Sequence, residues 1–148
     1  MKFIIIFSLV IVSGCTTLSK DVQLVTKGSD TSEVVVFREG AFHAGGVSLY
    51  VGKNDKYFLK LRNDQYGKFT INAGEYTLQA KADASPASEL GVNLSSGDTV
   101  CLKGEPNPYS LAAIIIPFAG NMIPTFILKE VDCPSQDELS GYVNVKNS

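Results

Sequence analysis

Three cysteines and one histidine are the side chains of this 148-residue chain with the most reactive chemistry. A cysteine thiol can accept an acyl group, form a disulfide or attack a substrate, and a histidine can act as a general base. These side chains are too few and too scattered for a structural zinc site, so we predict neither a metal nor a cofactor. The sequence around each cysteine indicates which of these chemistries it supports.

Cys15 follows a short apolar segment at the start of the chain. Lys2 provides a positive charge, and residues 3–12 are apolar except for Ser8. As a helix, ten residues rise about 15 Å, which is half of what a bilayer core requires. A segment of this length is typical of a secretory signal rather than of a membrane span.

The sequence VSGC at positions 12–15 resembles the lipobox of bacterial lipoproteins. The resemblance implies that residues 1–14 are a signal peptide and that the Cys15 thiol accepts a diacylglyceryl group. Further acylation of the new amino terminus would give a stable anchor, because one acyl chain alone binds membranes only marginally. Thr16 rather than Asp follows the cysteine, which implies the outer membrane by the sorting rules of Gram-negative bacteria. The body would then face the periplasm or the cell surface. The alternative is an ordinary signal that is cut elsewhere.

Cys101 and Cys133 are left as an even pair in an oxidising compartment, which predicts a disulfide. Closing a loop of this length stabilises a fold by about 3–4 kcal/mol in the chain-entropy model. Alternation within residues 99–103 directs Val100 and Leu102 inward, so we expect Cys101 on the outer face. The bridge would attach the segment around Cys133 to that face. A reactive thiol is the alternative.

Short β-branched and aromatic runs, separated by Gly, Asn and Asp turns, recur along the rest of the chain at about 8–12-residue spacing. This pattern predicts an all-β fold, a single antiparallel β-sandwich over residues 33–148. Residues 15–32 are polar and predict a flexible tether, with a short strand at 22–25. The sequence SQDE at 135–138 predicts a capping box and one helical turn. The predicted strands are 34–37, 47–51, 57–61, 66–71, 75–82, 90–94 and 99–103.

The segments LYVGK (49–53), LRNDQY (61–66) and INAGEYTL (71–78) resemble a pattern found in small bacterial lipoproteins that carry a domain of unknown function. Surface modules of the PEGA type carry a shorter version. The resemblance covers about residues 33–135 and departs from the pattern at Ala73, where Pro is usual, and in a longer first turn. It implies a prealbumin- or immunoglobulin-like β-sandwich, and it brings no catalytic residues.

Residues 106–128 contain no charged side chain. Pro117 and Pro124 interrupt any helix, and the pair at 120–121 favours a turn, so a transmembrane helix is not predicted. Two alternatives stay open. The stretch forms two buried strands joined by a turn, or it is an exposed apolar loop that contacts the bilayer or a partner. The contact residues of such a loop would be Ile114, Ile115, Ile116, Phe118, Met122 and Ile123.

The composition and charge restrict the function. A formal net charge of −2 without a Lys/Arg cluster argues against nucleic acid as a partner. His43 lies in a predicted solvated loop, where we do not expect a catalytic base. These features favour a non-catalytic envelope protein that binds a protein or polymer through loops or a sheet edge. One alternative is a carrier of a small apolar ligand or lipid, in a cavity lined by residues 111–128. Another is a thiol- or His-dependent enzyme.

Overall fold

A computed structural model describes residues 15–111 and 122–146, and within them nine strands form two sheets that pack as an all-β sandwich. A 3-10 helix at Pro108–Leu111 and helix α1 at Gln136–Leu139 complete the regular structure of these residues. The strands are β1 (Thr31–Arg38), β2 (Leu49–Lys53), β3 (Lys56–Leu61), β4 (Gln65–Asn72), β5 (Gly74–Lys81), β6 (Ser88–Leu94), β7 (Thr99–Pro106), β8 (Phe126–Val131) and β9 (Val143–Val145).

The seven strands that the sequence predicts before residue 104 are confirmed, with ends that differ by a few residues. Their turns contain residues that tolerate a positive φ, such as Asn54 at 51° and Asp64 at 54°. The capping box at Ser135 and Glu138 is confirmed as well. Strand β9 was not predicted, because three residues beside β4 carry too short a pattern to detect.

The two sheets differ in strand direction. The four-stranded sheet has the order β3-β2-β5-β6 and is antiparallel throughout. The five-stranded sheet has the order β8-β7-β1-β4-β9 and is mixed, because β7 runs parallel to β1 and β9 parallel to β4. The predicted all-β sandwich is confirmed, and the two parallel pairs are a feature that the sequence pattern did not predict. A parallel pair needs a long crossover, and strands β2 to β6 supply it between β1 and β7.

Strands β1, β3, β5 and β7 all finish at one end of the sandwich, which we call the upper end. In the mixed sheet, Phe37 lies beside both Tyr66 and Lys103. In the other sheet, Leu49 lies beside Leu61, and Tyr50 beside Lys81. Three connections and the described parts of a fourth therefore meet at the upper end: residues 39–48, 62–64 and 82–87, and residues 107–111 with 122–125.

Strand β1 is buried on both faces, as its apolar run predicts. Val34 and Val36 point between the sheets into the main core, while Val35 and Phe37 point to the outer face. The segment 132–142 crosses that outer face, where the ring of Tyr142 packs edge-on against Phe37 at 5.9 Å between centroids. The segment 132–142 therefore buries the outward side chains of β1.

The disulfide between Cys101 and Cys133 is confirmed, with an S–S distance of 2.02 Å. Cys101 lies on the outer face of β7, as the alternation predicts, and packs with Val35 and Phe37. The bond therefore fastens the start of the segment 132–142 to the mixed sheet.

Residues 15–30 lie against the body, whereas the sequence predicts a flexible tether. Ser19 N donates to Tyr57 O at 2.6 Å, and Thr26 N donates to Asn72 Oδ1 at 3.0 Å. Val22 and Leu24 pack against the main core, which explains the attachment, because their apolar area leaves water. Within this described segment no strand forms at 22–25, and β1 already begins at Thr31.

Two glycines allow the sheets to approach each other closely. Gly104 on β7 faces Leu49, and a Cβ at position 104 would overlap the Leu49 side chain. Gly67 on β4 faces Leu59, whose Cδ1 lies 2.5 Å from where a Cβ would stand. Both leucines are fully buried, so they have no room to swing away.

Candidate functional site

A buried arginine organises the upper end of the sandwich. Alternation along β1 directs position 38 inward, and Arg38 is 0% exposed. Its Nη1 donates to the carbonyl oxygens of Val47 at 2.6 Å and Leu61 at 3.2 Å. Its Nη2 donates to Ala44 O at 2.8 Å, and the guanidinium stacks on the Phe126 ring at 4.4 Å from the centroid. One side chain thus joins the β1–β2 connection to β3 and β8.

Backbone carbonyls are the hydrogen-bond acceptors of this cation. Burial lowers the pKa of the Arg38 guanidinium, and the negative charge of Asp64 acts in the opposite direction. An arginine stays charged in this setting, since its usual pKa lies far above neutrality. Its fork of N–H donors spans several carbonyls in a fixed geometry that a single ammonium group does not reproduce.

The turn at 62–64 holds the first part of the β1–β2 connection. Gly40 N donates to Asp64 Oδ1 at 2.7 Å, and Asn63 Nδ2 donates to Ala41 O at 3.3 Å. The backbone on both sides of Phe42 is therefore fixed, by these bonds and by Arg38. The Phe42 side chain is left fully exposed.

The upper end carries most of the exposed large apolar side chains. Among the described residues these are Phe42, Tyr109 at 74% exposure, Met122 at 80%, Val143 at 62% and Val25 at 40%. The first three lie in the upper connections, and Val143 N donates to Asp64 O at the same end. Only Val25 lies at the opposite end, beside the Asn72 that ends β4.

The structure describes two of the six predicted contact residues in the uncharged stretch. Met122 is exposed, as expected for a contact residue, whereas Ile123 is half-buried. Ile114, Ile115, Ile116 and Phe118 lie outside the described residues. The two described flanks of the stretch are the 3-10 helix at Pro108–Leu111 and strand β8. Phe42 and Tyr109 were missed, because a single aromatic residue in a loop carries no periodic signal.

Cys15 carries an exposed free thiol, and its neighbour Thr16 is hydrogen-bonded to the upper end. Thr16 N donates to Asp83 Oδ1 at 2.8 Å, and Asp83 belongs to the connection between β5 and β6. Two residues further on, Ser85 Oγ accepts from Thr125 N at 2.9 Å. The chain entering from Cys15 therefore meets the connections that also hold the exposed apolar side chains.

The Asp83 carboxylate is held in its ionised form. The hydrogen bond from the Thr16 backbone lowers the pKa of Asp83 most, and the Tyr50 hydroxyl at 3.2 Å and the Lys60 charge lower it further. Desolvation acts in the opposite direction. The charged carboxylate thus favours the attachment of the N-terminal segment.

His43 is half-buried and bonded, rather than solvated as predicted. Its Nε2 lies 2.9 Å from Ser110 Oγ. The Ser110 hydroxyl donates to Asn107 O at 2.7 Å, so its single proton is engaged there. Ser110 Oγ then accepts from His43 Nε2–H, and this direction does not activate the serine as a nucleophile. The bond ties two upper connections together.

Two surface clefts lie on the outer faces of the sheets. One, of about 500 Å³, lies over β5 and β6 and is lined by Glu75, Tyr76, Thr77, Gly91, Val92 and Asn93. The other, of about 620 Å³, lies beside the disulfide, between Lys103 and Tyr142. Within residues 15–111 and 122–146, no group of three His, Cys, Asp or Glu side chains is placed to hold a metal ion. Those residues also include no helix that is long and apolar enough to cross a membrane.

Replacing Arg38 with methionine tests the organising role of the guanidinium. The substitution leaves buried carbonyls without donors, so we expect Arg38→Met to lower the free energy of unfolding by about 2–4 kcal/mol. Arg62→Met is the matched control, because Arg62 is exposed in the neighbouring turn. Urea unfolding of both variants gives the comparison. Equal stability of the two variants would contradict the role.

The lowered pKa of Asp83 predicts a pH dependence for the Thr16 contact. A carboxyl whose pKa is depressed in the folded state stabilises the fold above its ordinary pKa, and this contribution is lost as the pH falls through the lowered value. We expect the Thr16 amide proton shift, measured by NMR, to change only below the ordinary aspartate range. Asp83→Ala should abolish that titration and Asp21→Ala should leave it intact. An unresponsive Thr16 amide in the unsubstituted protein would refute the contact.

Comparison with known proteins adds no relative: no protein-family model and no curated protein matches this chain. The resemblance of its turn pattern to a lipoprotein domain of unknown function therefore stays a prediction. Three features of the chain bear on its function: the separate roles of the three cysteines, the exposed side chains at the upper end, and the edges of the two sheets.

Proposed function

We propose that this chain is a lipid-anchored lipoprotein of the bacterial cell envelope, whose β-sandwich is a non-catalytic binding module. The observation that carries the proposal is the division of the three cysteines. Cys101 and Cys133 are joined in a disulfide, while Cys15 is free and exposed at the end of the lipobox-like sequence. An accessible thiol is what acyl transfer requires, and a disulfide suits an oxidising compartment.

Binding is favoured over catalysis by what the reactive side chains contact. The Cys101 sulfur is bonded to Cys133, so neither is a thiolate nucleophile. The His43 imidazole donates to Ser110, which is the wrong direction for a general base. A binding role needs neither group, since a strand edge or a loop can recognise a partner through its backbone.

The edge strand β6 is the best candidate for binding a partner strand. Three of the four sheet edges carry a feature that hinders pairing with another chain. Leu18 forms a bridge to Tyr57 on β3, β8 carries exposed Lys129 and Glu130, and β9 has 3 residues. Strand β6 has 7 residues with Glu89 as its single charge, and the cleft over β5 and β6 lies beside it.

The intact mass of the chain extracted from membranes tests the anchor and the disulfide together. The extract is treated with a thiol-alkylating reagent without reduction. We expect a chain that begins at Cys15, carries a lipid-sized added mass and shows no alkylation of Cys101 or Cys133. Cys15→Ser is the control and should yield a chain without lipid. An unlipidated chain with two alkylated cysteines would overturn the proposal.

Photocrosslinking in cells tests the binding edge. A photoreactive side chain replaces Asn93, which is exposed on β6, and in a matched variant it replaces Glu130, which is exposed on β8. We expect a product of discrete mass from position 93 and none from position 130, because the edge of β6 around Asn93 carries no charged side chain, whereas Glu130 adjoins Lys129. Equal products from both positions, or none from position 93, would contradict binding at β6.

A further inference from the structure

We propose that the upper end of the sandwich rests on the lipid leaflet that holds the Cys15 acyl chains, with Phe42, Tyr109 and Met122 in the headgroup region. The domain would then stand on the membrane in one orientation and present its β6 edge to the side. The inference rests on the lipid anchor proposed above. It identifies the membrane surface as the partner of the exposed apolar side chains.

Very little free chain would separate the lipid from the folded body. Consecutive Cα atoms are 3.8 Å apart, so Cys15 lies within about 4 Å of Thr16, which is bonded to Asp83. A flexible tether over residues 15–32 would instead allow an end-to-end distance of roughly 20–25 Å. Such a short connection keeps the part of the body around Asp83 close to the membrane.

The N-terminal segment contacts both ends of the sandwich. Followed from β1 back towards Cys15, the chain first contacts the lower end, where Leu24 O accepts from Asn72 N at 3.0 Å. It then passes Tyr57 on β3 at Ser19, and it reaches Asp83 in an upper connection at Thr16. The contacts of the segment therefore change from the lower end at Leu24 to an upper connection at Thr16, which is the residue next to Cys15.

The exposed apolar side chains are concentrated at the upper end. Four of the five large ones among the described residues lie at the upper end, and Val25 lies at the lower end. An aromatic ring with a polar tip, such as Tyr109, suits the boundary between water and lipid. Exposed apolar side chains concentrated on one part of a protein surface usually mark contact with a membrane or a partner.

The charges at the upper end are compatible with this contact. The carboxylates of Asp64 and Asp83 both accept backbone N–H groups, from Gly40 and Thr16. Glu39 is paired with Lys103 at 2.8 Å. The Lys103 ammonium neutralises the charge of Glu39, and the hydrogen bonds spread the charge of the two aspartates, which weakens their repulsion of anionic headgroups. The exposed Arg62 in the same region adds an attraction to them.

Tryptophan fluorescence of the lipidated protein tests the orientation, because the chain contains no tryptophan. Single substitutions Phe42→Trp and Met122→Trp place a probe at the upper end, and Val25→Trp places a matched probe on an exposed apolar position at the lower end. Each full, lipidated chain is reconstituted in vesicles of phosphatidylethanolamine and phosphatidylglycerol that contain brominated lipid. All three positions are exposed, so the substitutions do not disturb the core.

We expect bromolipid to quench the probes at 42 and 122 severalfold more than the probe at 25, with emission shifted to the blue. In the Phe42→Asp background, a Tyr109→Trp probe should lose most of its quenching. Equal, weak quenching at all three positions in a chain of lipidated mass would overturn the orientation and leave the anchor standing. A blue shift at 42 without lipid quenching would overturn the orientation and assign the upper end to contact between copies of the chain, which is the only protein in the vesicles. A chain whose mass shows no lipid would overturn both proposals.

Discussion

The upper end of this sandwich depends on one buried cation. Arg38 occupies the inward position of β1 that its neighbours Val34 and Val36 would lead one to expect as apolar. Its guanidinium supplies donors to three carbonyls in the β1–β2 connection and at the end of β3, and it stacks on Phe126 at the start of β8. A connection of ten irregular residues has no ladder of its own, and fixing its backbone opposes a large conformational entropy. The arginine offsets that entropy by satisfying three carbonyls that are buried or partly buried.

The rest of the upper end is built on this connection. Arg38 bonds to the carbonyls of residues 44 and 47 from inside the sandwich. The turn at 62–64 bonds to residues 40 and 41 from outside, and His43 bonds to Ser110. Phe42 is the residue between these contacts whose side chain points to solvent. Its exposure therefore follows from a backbone that is hydrogen-bonded on both sides of it.

Two segments outside the strands close the sandwich on its flanks. The segment 132–142 is fastened by the disulfide at one end and by Tyr142 on Phe37 at the other, and it buries the outer face of β1. Residues 15–30 line the edge of β3 and add Val22 and Leu24 to the core. Together they remove apolar area and one strand edge from solvent, so β6 is left as the long edge with the fewest features that prevent pairing.

The sequence by itself determined the elements that depend on neighbours along the chain. Alternation and turn residues located seven strands before residue 104, the capping box at Ser135 and Glu138, and Cys101 on the outer face of β7. Contacts between distant residues were decided only by the tertiary structure. The parallel pairing of β1 with β7, the carbonyl and ring partners of Arg38, the close approach at Gly104 and Gly67, and the docking of residues 15–30 all belong to this group. Local patterns report which face a side chain occupies, but the neighbour on that face is set by how the sheets stack, and no spacing along the chain encodes it.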